Sequence, residues 1–314
     1  MTTRHIIIDT DPGIDDAVAI LLALASPELQ INAIVTVAGN GPLNFMERNA
    51  RMICEFAARS DIPVYAGCPR PLRSDMINAV YFHGETGLGT LKLPPPVMPL
   101  RPKHGVAATI DLLREAPPGG ITWCALGPLT NVAAALVQAP DIIAGAKELV
   151  LMGGASRALG NISPAAEFNI LADPHAAQIV FDSGLPITMI PLDVTHQVRS
   201  TPERIARIAS LGTPAAAAVA ELLAPLSGRE PSALHDPCVI AYLLAPELFQ
   251  GSRVNVAVET QSPLTRGATV VDWRGISGRE VNANVLHKVD AGGIYVLLEQ
   301  RLSTSRLTHD NHKD

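Results

Sequence analysis

The sequence has little charge and no excess of the sign that would bind nucleic acid. Only 17% of its 314 residues are Asp, Glu, Lys or Arg, leaving a net charge of −6 and a pI near 5.8. Without a basic face there is nothing to track a phosphate backbone, which argues against nucleic acid as a partner. Cysteine is sparse too: Cys54, Cys68, Cys124 and Cys238 are scattered, with no Cys-x-x-Cys pair. They suggest neither a zinc site nor a disulfide framework, and they read as buried free thiols. No apolar run reaches the ~18 residues of a membrane span, and the polar start Met1-Thr2-Thr3-Arg4-His5 leads straight into a strand-like run. The expectation is a soluble cytoplasmic protein. Internal repeats and low-complexity linkers are also missing. What the chain does have is 47% hydrophobic residues, enough for a large core, and residues 1–314 are expected to form one domain.

The few charges are not spread evenly. Residues 9 to 16 read Asp-Thr-Asp-Pro-Gly-Ile-Asp-Asp, between the apolar run Ile6-Ile7-Ile8 and an apolar helical pattern in which Val18, Leu21, Leu22 and Ala25 share one stripe. Pro12 fixes φ and Gly13 can supply the positive φ that a sharp turn often needs, so the chain reverses after Asp11. Asp15 and Asp16 then fall in the first helical turn, where free N–H groups favour negative charge. Asp9 and Asp11 are expected to leave the strand end and to meet Asp15 and Asp16 in one small volume. Four crowded carboxylates repel one another unless a cation sits among their oxygens. Pure helix capping is the plain alternative, although it leaves two of the four without a task. An EF-hand loop does not fit, because Ile20 stands where its bidentate Glu belongs. A haloacid-dehalogenase-type phosphatase, with Asp-x-Asp after a strand, is a further alternative, weakened by Gly13 where those enzymes have Thr or Val.

Strand-like and helix-like segments alternate along the chain. Ile31–Val37, Ile62–Tyr65, Ile121–Ala125, Leu149–Met152 and Ile187–Ile190 read as strands. Leu43–Ala58, Val106–Ala116, Leu129–Val137 and Pro174–Phe181 read as helices. Such alternation with continuous apolar strands predicts an α/β fold, a mostly parallel, Rossmann-like open sheet covered by helices on both faces. Two stretches break the rhythm. Residues 66–104 are proline-rich and contain His83-Gly84-Glu85-Thr86-Gly87-Leu88-Gly89, too long for a plain connector. Residues 200–235 hold two helix starts, Thr201-Pro202 and Thr213-Pro214, and are expected to form a helical insertion near a pocket. Residues 303–314 are expected to fray.

Ligands of open parallel sheets bind beyond the strand carboxyl ends. Those positions carry Asp9 and Asp11, then Gly39-Asn40, Leu126-Gly127-Pro128, Gly153-Gly154 and Asp193. Asn161 and Glu167-Phe168-Asn169 follow, and an extended segment would put Glu167 and Asn169 on one side with Phe168 opposite. Carboxylates and amides together suit a ligand with many hydroxyls, such as a sugar. His235-Asp236-Pro237 is the last candidate. Asp-Pro is also a common helix opening, realised by Asp173-Pro174, so Asp236 has a capping alternative, and His235 alone has a packing one.

Six ordered motifs together resemble the inosine–uridine-preferring nucleoside hydrolases: Asp9 to Asp16, Val37-Ala38-Gly39-Asn40, Gly127-Pro128-Leu129-Thr130-Asn131, Leu151-Met152-Gly153-Gly154, Ala166-Glu167-Phe168-Asn169 and His235-Asp236-Pro237. The resemblance runs from about residue 4 to about residue 300. His83-Gly84-Glu85-Thr86-Gly87 and Val258-Glu259-Thr260-Gln261 look most like the bacterial broad-specificity ribonucleoside hydrolases.

That resemblance implies one Ca²⁺ held by Asp11, Asp16, Asp236 and the Leu126 carbonyl, an oxygen set suited to calcium. Asp11 would be the general base toward a water on the calcium. Asp15, Asn40 and Asn169 would hold ribose hydroxyls, Asn161 and Glu167 would surround the 5′-hydroxyl, and Met152 and Phe168 would pack on the sugar. His83 would lie near the base, and His235 would protonate it as the N-glycosidic bond breaks. The corresponding loop here offers Phe82 and His83 rather than a tryptophan sandwich, and Pro225–Leu234 lacks the aromatic that some relatives place over the base, so broad or pyrimidine-tolerant specificity is expected. A homodimer or homotetramer is implied as well. A ribose- or nucleoside-binding protein that has lost its chemistry is the non-enzymatic alternative, and it has no need of Asp11 or His235.

Overall fold

The structure is a computed structural model that describes residues 3–84, 86–224 and 232–304. Glu85, part of the expected insertion (225–231) and the expected frayed tail from 305 onward lie outside the described residues. Among the described residues nine strands form one sheet: β1 Arg4–Thr10, β2 Leu29–Thr36, β3 Val64–Ala66, β4 Ile121–Ala125, β5 Ala146–Met152, β6 Ile187–Ile190, β7 Phe249–Val258, β8 Thr269–Asp272 and β9 Ala283–Val289. Their spatial order is β3-β2-β1-β4-β5-β6-β9-β7-β8. The pairs from β3 to β9 are parallel, whereas β7 runs antiparallel to both β9 and β8. The mostly parallel α/β sheet expected from the alternation is therefore present. It continues past Ile190 with three strands that the alternation did not reveal.

Two cores form because the central strands are buried on both faces. Ile6 and Ile8 pack into one core with the helix Ile14–Leu24, while Ile7 points into the other with Trp123 and the helices Thr130–Gln138 and Pro174–Phe181. Side chains of adjacent strand residues face opposite sides, so an uninterrupted Ile-Ile-Ile run is the pattern a doubly covered strand requires. The helix Ile14–Leu24 is buried from Asp16 to Ala23. It packs against the helices Pro214–Leu223 and Pro237–Leu244, and the latter brings Asp236 toward the end of β1. The helix starts at Thr201 and Thr213 form as expected, each threonine side chain accepting a backbone N–H of the turn it opens. No described helix is long and apolar enough to cross a membrane.

The order β3-β2-β1-β4-β5-β6 reverses direction between β1 and β4. At such a switch point the loops leaving two neighbouring strands diverge and open a crevice at their carboxyl ends. Asp11 follows β1 and Leu126 follows β4, so both stand at this crevice.

Candidate active site

The expected partnership of Asp9 with Asp11 does not form. Asp9 is still inside β1, where its Oδ2 accepts from Asn131 Nδ2 at 3.0 Å and its Oδ1 has no hydrogen-bond partner among the described residues. Burial pushes its carboxyl up to about 8. Asp11 is one residue beyond the strand, and its Oδ2 accepts the Asn40 N–H at 2.7 Å. Two glycines make room for this carboxylate. A Cβ on Gly39 would lie 2.1 Å from Asp11 Oδ2, and one on Gly127 would lie 2.4 Å from Oδ1.

Gly13 also departs from expectation. Its φ is −98°, not positive. Glycine is needed there for space, because a Cβ would sit 2.5 Å from His83 Nδ1 and 2.7 Å from Asn40 Nδ2. The helix start is held by Asp16, which accepts from Gly13 N at 3.0 Å, from Asn40 Nδ2 at 3.1 Å and from Thr10 Oγ1 at 2.5 Å. Capping therefore accounts for part of what Asp16 does, though not for its neighbours.

Asp236 occupies the N-cap position of the helix Pro237–Leu244 with helical φ and ψ of −65° and −35°, and its side chain makes no capping bond among the described residues. The capping alternative is not realised. Instead, ligand atoms of Asp15, Asp16 and Asp236 lie within 4.8 Å of one another, and the Asp236 N–H donates to Asp15. Burial first, and then the charge of Asp16, raises the Asp15 carboxyl to about 7. Burial followed by neighbouring carboxylates also lifts Asp11 and Asp236 well above the usual range. No Lys or Arg lines the adjoining cavity among the described residues. A buried, oxygen-only donor set without a counter-charge fits a hard divalent cation. The set implied by the resemblance has Asp11 in place of Asp15. The Leu126 carbonyl, also in that set, here accepts from Asn169 Nδ2 at 2.7 Å.

Above this floor lies a cavity of about 260 Å³. Asp15, Asn40, His83, Leu126 and Met152 line it, together with Asn161, Glu167, Phe168, Asn169, His235 and Asp236. Of the expected site residues only Asp11 and Asp16 are absent from the wall; they are almost fully buried beneath it. Glu167 and Phe168 are not opposed across an extended segment. Glu167 caps the helix Phe168–Ala172, its Oε1 accepting from Asn169 N at 2.9 Å and its Oε2 from Gly154 N at 2.9 Å and Ile170 N at 3.3 Å. The helical turn so opened carries Phe168 and Asn169 to the same cavity. Asn161 Oδ1 accepts the Phe168 N–H at 2.9 Å, which ties the preceding loop to that turn.

The two histidines are held differently. His83 Nδ1 accepts the Ile14 N–H at 3.0 Å, which leaves its proton on Nε2, and burial pushes its pKa down to about 4. His235 Nδ1 lies 2.8 Å from Thr195 Oγ1, with the His196 ring 6.0 Å away. Burial, assisted by His196, lowers the His235 pKa to about 3, so the ring is neutral at pH 7. Sequence reasoning missed Thr195 and the wall residues Ala79, Tyr81 and Ile162. The rim argument that found Asp193 reaches Thr195 two residues later.

The whole chain has clear relatives. Residues 6–295 match the family model "Inosine-uridine preferring nucleoside hydrolase". A pyrimidine-specific ribonucleoside hydrolase RihA from Shewanella sp. (strain MR-7) is 44% identical over 99% of this chain and 100% of its own length. An uncharacterized protein of Schizosaccharomyces pombe is 47% identical over 95% of this chain and 98% of its own. Among solved structures, the purine-preferring ribonucleoside hydrolase from Gardnerella vaginalis superposes with a TM-score of 0.88 at 31% identity, covering 96% of this chain and 99% of that one. Strand order, the crevice at β1 and β4, and these full-length matches agree, and the chain belongs to the inosine–uridine-preferring nucleoside hydrolase family.

Proposed function

We propose that this ribonucleoside hydrolase cleaves the N-glycosidic bond with Asp11 as proton acceptor and His235 as hydrogen donor to the leaving base, over a floor that holds Ca²⁺. The observation that carries this reading is the buried oxygen-only cluster beneath a cavity with no lysine or arginine in its wall among the described residues. Cleavage builds positive charge on the ribose ring, and fixed carboxylates stabilise that charge. The same floor repels a phosphate, which favours nucleosides over nucleotides and stands against the phosphatase alternative. Asp11, Asp15, Asp16, Asp236 and the Leu126 carbonyl are the groups that would hold the cation. When bound, a divalent ion would supply Lewis acidity, making a water easier to deprotonate.

The remaining work falls to the chain itself. Asn40 fixes Asp11 through its backbone N–H, so the acceptor oxygen is oriented before substrate arrives. Asn169, anchored on the Leu126 and Met152 carbonyls, and Asp15 are placed to take ribose hydroxyls. Glu167, with its oxygens engaged by three backbone N–H groups, shapes the wall near Asn161 and the expected 5′-hydroxyl. Met152 and Phe168 supply apolar surface to the sugar, and His83 presents its Nε2–H near the base.

Relatives at 44% and 45% identity named pyrimidine-specific support uridine and cytidine as the better substrates. Free ribose released from uridine, cytidine, inosine and adenosine tests both parts. Release from the pyrimidines at least ~10-fold faster is expected. Faster release from the purine ribosides would overturn the preference, and release from none would overturn the activity. We further propose a cytoplasmic homodimer or homotetramer, which light scattering of the purified protein would reveal as two or four chain masses.

A further inference from the structure

We propose that Thr195 is a positioning residue for the reaction: its hydroxyl donates to His235 Nδ1 and so fixes the imidazole as the Nε2–H tautomer, with the donating nitrogen left for the leaving base. The inference rests on the reading of His235 as the donor to that base. It goes beyond that reading by naming what sets the donor.

The geometry is direct. Thr195 Oγ1 lies 2.8 Å from His235 Nδ1, a normal hydrogen-bond length, and Thr195 is fully buried. A neutral imidazole carries one N–H and one acceptor nitrogen, and the hydrogen bond made by one nitrogen decides which role the other plays. A Thr195 hydroxyl that donates to Nδ1 leaves Nε2 as the protonated nitrogen. If Nδ1 carried the proton instead, Nε2 would be an acceptor and would offer nothing to a base that gains electrons as the C–N bond breaks. In the reaction the electron pair of the glycosidic C–N bond passes to the departing base. The Nε2–H of the neutral ring hydrogen-bonds to the base and stabilises that growing negative charge, and the proton the base finally gains comes from solvent.

Thr195 can set this orientation because it stands on a pinned element. The short helix Leu192–Thr195 follows β6 directly. The Leu192 N–H donates to the Gly154 carbonyl at 2.9 Å, and the Thr195 N–H donates to that of Pro191 at 3.2 Å. Asp193 ties the same turn to the next loop, accepting from Ser156 N at 2.8 Å and Arg157 N at 2.7 Å. That loop leads to Asn161 and Glu167, so one turn braces both the base side and the 5′ side of the cavity. A hydrogen-bonding group on such a braced turn has little freedom to follow the imidazole into a wrong orientation.

The test compares natural nucleosides with p-nitrophenyl riboside, whose phenolate leaves without a proton. Thr195→Val removes the hydroxyl at nearly constant volume, Thr195→Ser restores it, and His235→Ala removes the donor. We expect Thr195→Val to lower kcat on uridine by ~10–10²-fold while altering p-nitrophenyl riboside turnover less than ~3-fold, with KM nearly unchanged and Thr195→Ser close to the parent. Equal losses on both substrates would mean that Thr195 only supports the fold, and would overturn the inference. If His235→Ala shifts the substrate ratio and Thr195→Val does not, the positioning role fails while the donor role stands. If His235→Ala leaves the ratio unchanged, the donor role itself fails. Long-range ¹H–¹⁵N correlation spectra of the histidine-labelled parent protein add a readout independent of turnover and of whether a variant folds. The Nε2–H tautomer is expected at His235, and the Nδ1–H tautomer would overturn the assignment.

Discussion

Replacing Gly39 with alanine tests how Asp11 is oriented without touching any ionisable group. Gly39 does not have a positive φ, so alanine meets no backbone strain, and the whole effect is steric. Its Cβ would stand 2.1 Å from Asp11 Oδ2 and 2.8 Å from Pro128 Cδ. Asp11 cannot rotate away, because Gly127 crowds its other oxygen so closely that a Cβ there would lie 2.4 Å from Oδ1. The carboxylate must retreat by roughly 1 Å, a displacement that can cost ~10²-fold in rate when it falls on a reacting group. The 2.7 Å bond from Asn40 N is stretched or lost in the same movement. Overpacking costs ~1–3 kcal/mol, partly offset by the ~0.4–1 kcal/mol that alanine gains over glycine through the unfolded state, so the variant should fold with a modestly lower Tm. Gly41→Ala is the matched control: its Cβ would meet only the end of the Met46 side chain, at 3.1 Å. Ribose release from uridine should fall ~10²-fold for Gly39→Ala and stay near the parent value for Gly41→Ala. A folded Gly39→Ala protein with kcat/KM within ~3-fold of the parent would refute the argument that Asp11 must stand where Gly39 and Gly127 leave room.

Asp11→Asn keeps the shape and removes the proton acceptor, so kcat should drop at least ~10²-fold; calorimetric calcium titration run alongside separates lost chemistry from lost metal. Asp236→Asn should weaken calcium binding and raise the Tm of metal-free protein, since one of the repelling charges is gone; an unchanged calcium affinity would remove Asp236 from the ligand set. Burial raises Glu167 from its ordinary 4.5 to about 7, so the folded state holds its proton more tightly than the unfolded state does. The associated stability is fully present below pH 4.5 and is lost as pH rises through about 7, at most about 3 kcal/mol. Denaturant titrations at pH 5 and pH 8 should show that decline in the parent and a shallower one in Glu167→Gln. Asn131→Ala strips the partner from Asp9 Oδ2 and from the Cys68 N–H together, leaves the Thr36 carbonyl with the Gly67 N–H alone, and should cost ~2 kcal/mol or more in urea denaturation.

Period and punctuation made the parallel part of the sheet legible, because Ile121–Ala125 and Ile187–Ile190 are short runs, apolar but for Thr122 and Thr188, punctuated by Gly120, Gly127, Pro186 and Pro191. The strands β7 to β9 were not seen. They sit toward a sheet edge that is only half buried, and charged or amide residues such as Arg253, Asn255 and Lys288 alternate with their apolar ones, so no continuous apolar run marks them. The alternation Val254, Val256, Val258 was the available signal. At the site, the type and order of residues were readable, and the division of labour was not. Asp9 and Asp11 look alike in sequence; one residue of strand decides that Asp9 faces Asn131 and Asp11 faces the crevice. Gly13 was assigned to backbone freedom, whereas its use is contact with His83, a residue 70 positions away that no local pattern could reveal. Glu167 opens a helix instead of lying on an extended segment, and its sequence did not show this because its capping bonds depend on the Gly154 loop as well as on its own turn.

The acidic cluster is also divided in time. Asp15 and Asp16 leave the ribosome early, and Asp236 follows roughly 220 residues later, which at ~5–20 residues per second is about 10–40 s. During that interval β1, β2 and β4 can pair and bury their isoleucines while the crevice at their ends still lacks one of its clustered carboxylates. The cage closes only when the helix Pro237–Leu244 docks on Ile14–Leu24. A chain that stalls before residue 236 therefore lacks one of the three carboxylates that could hold a metal.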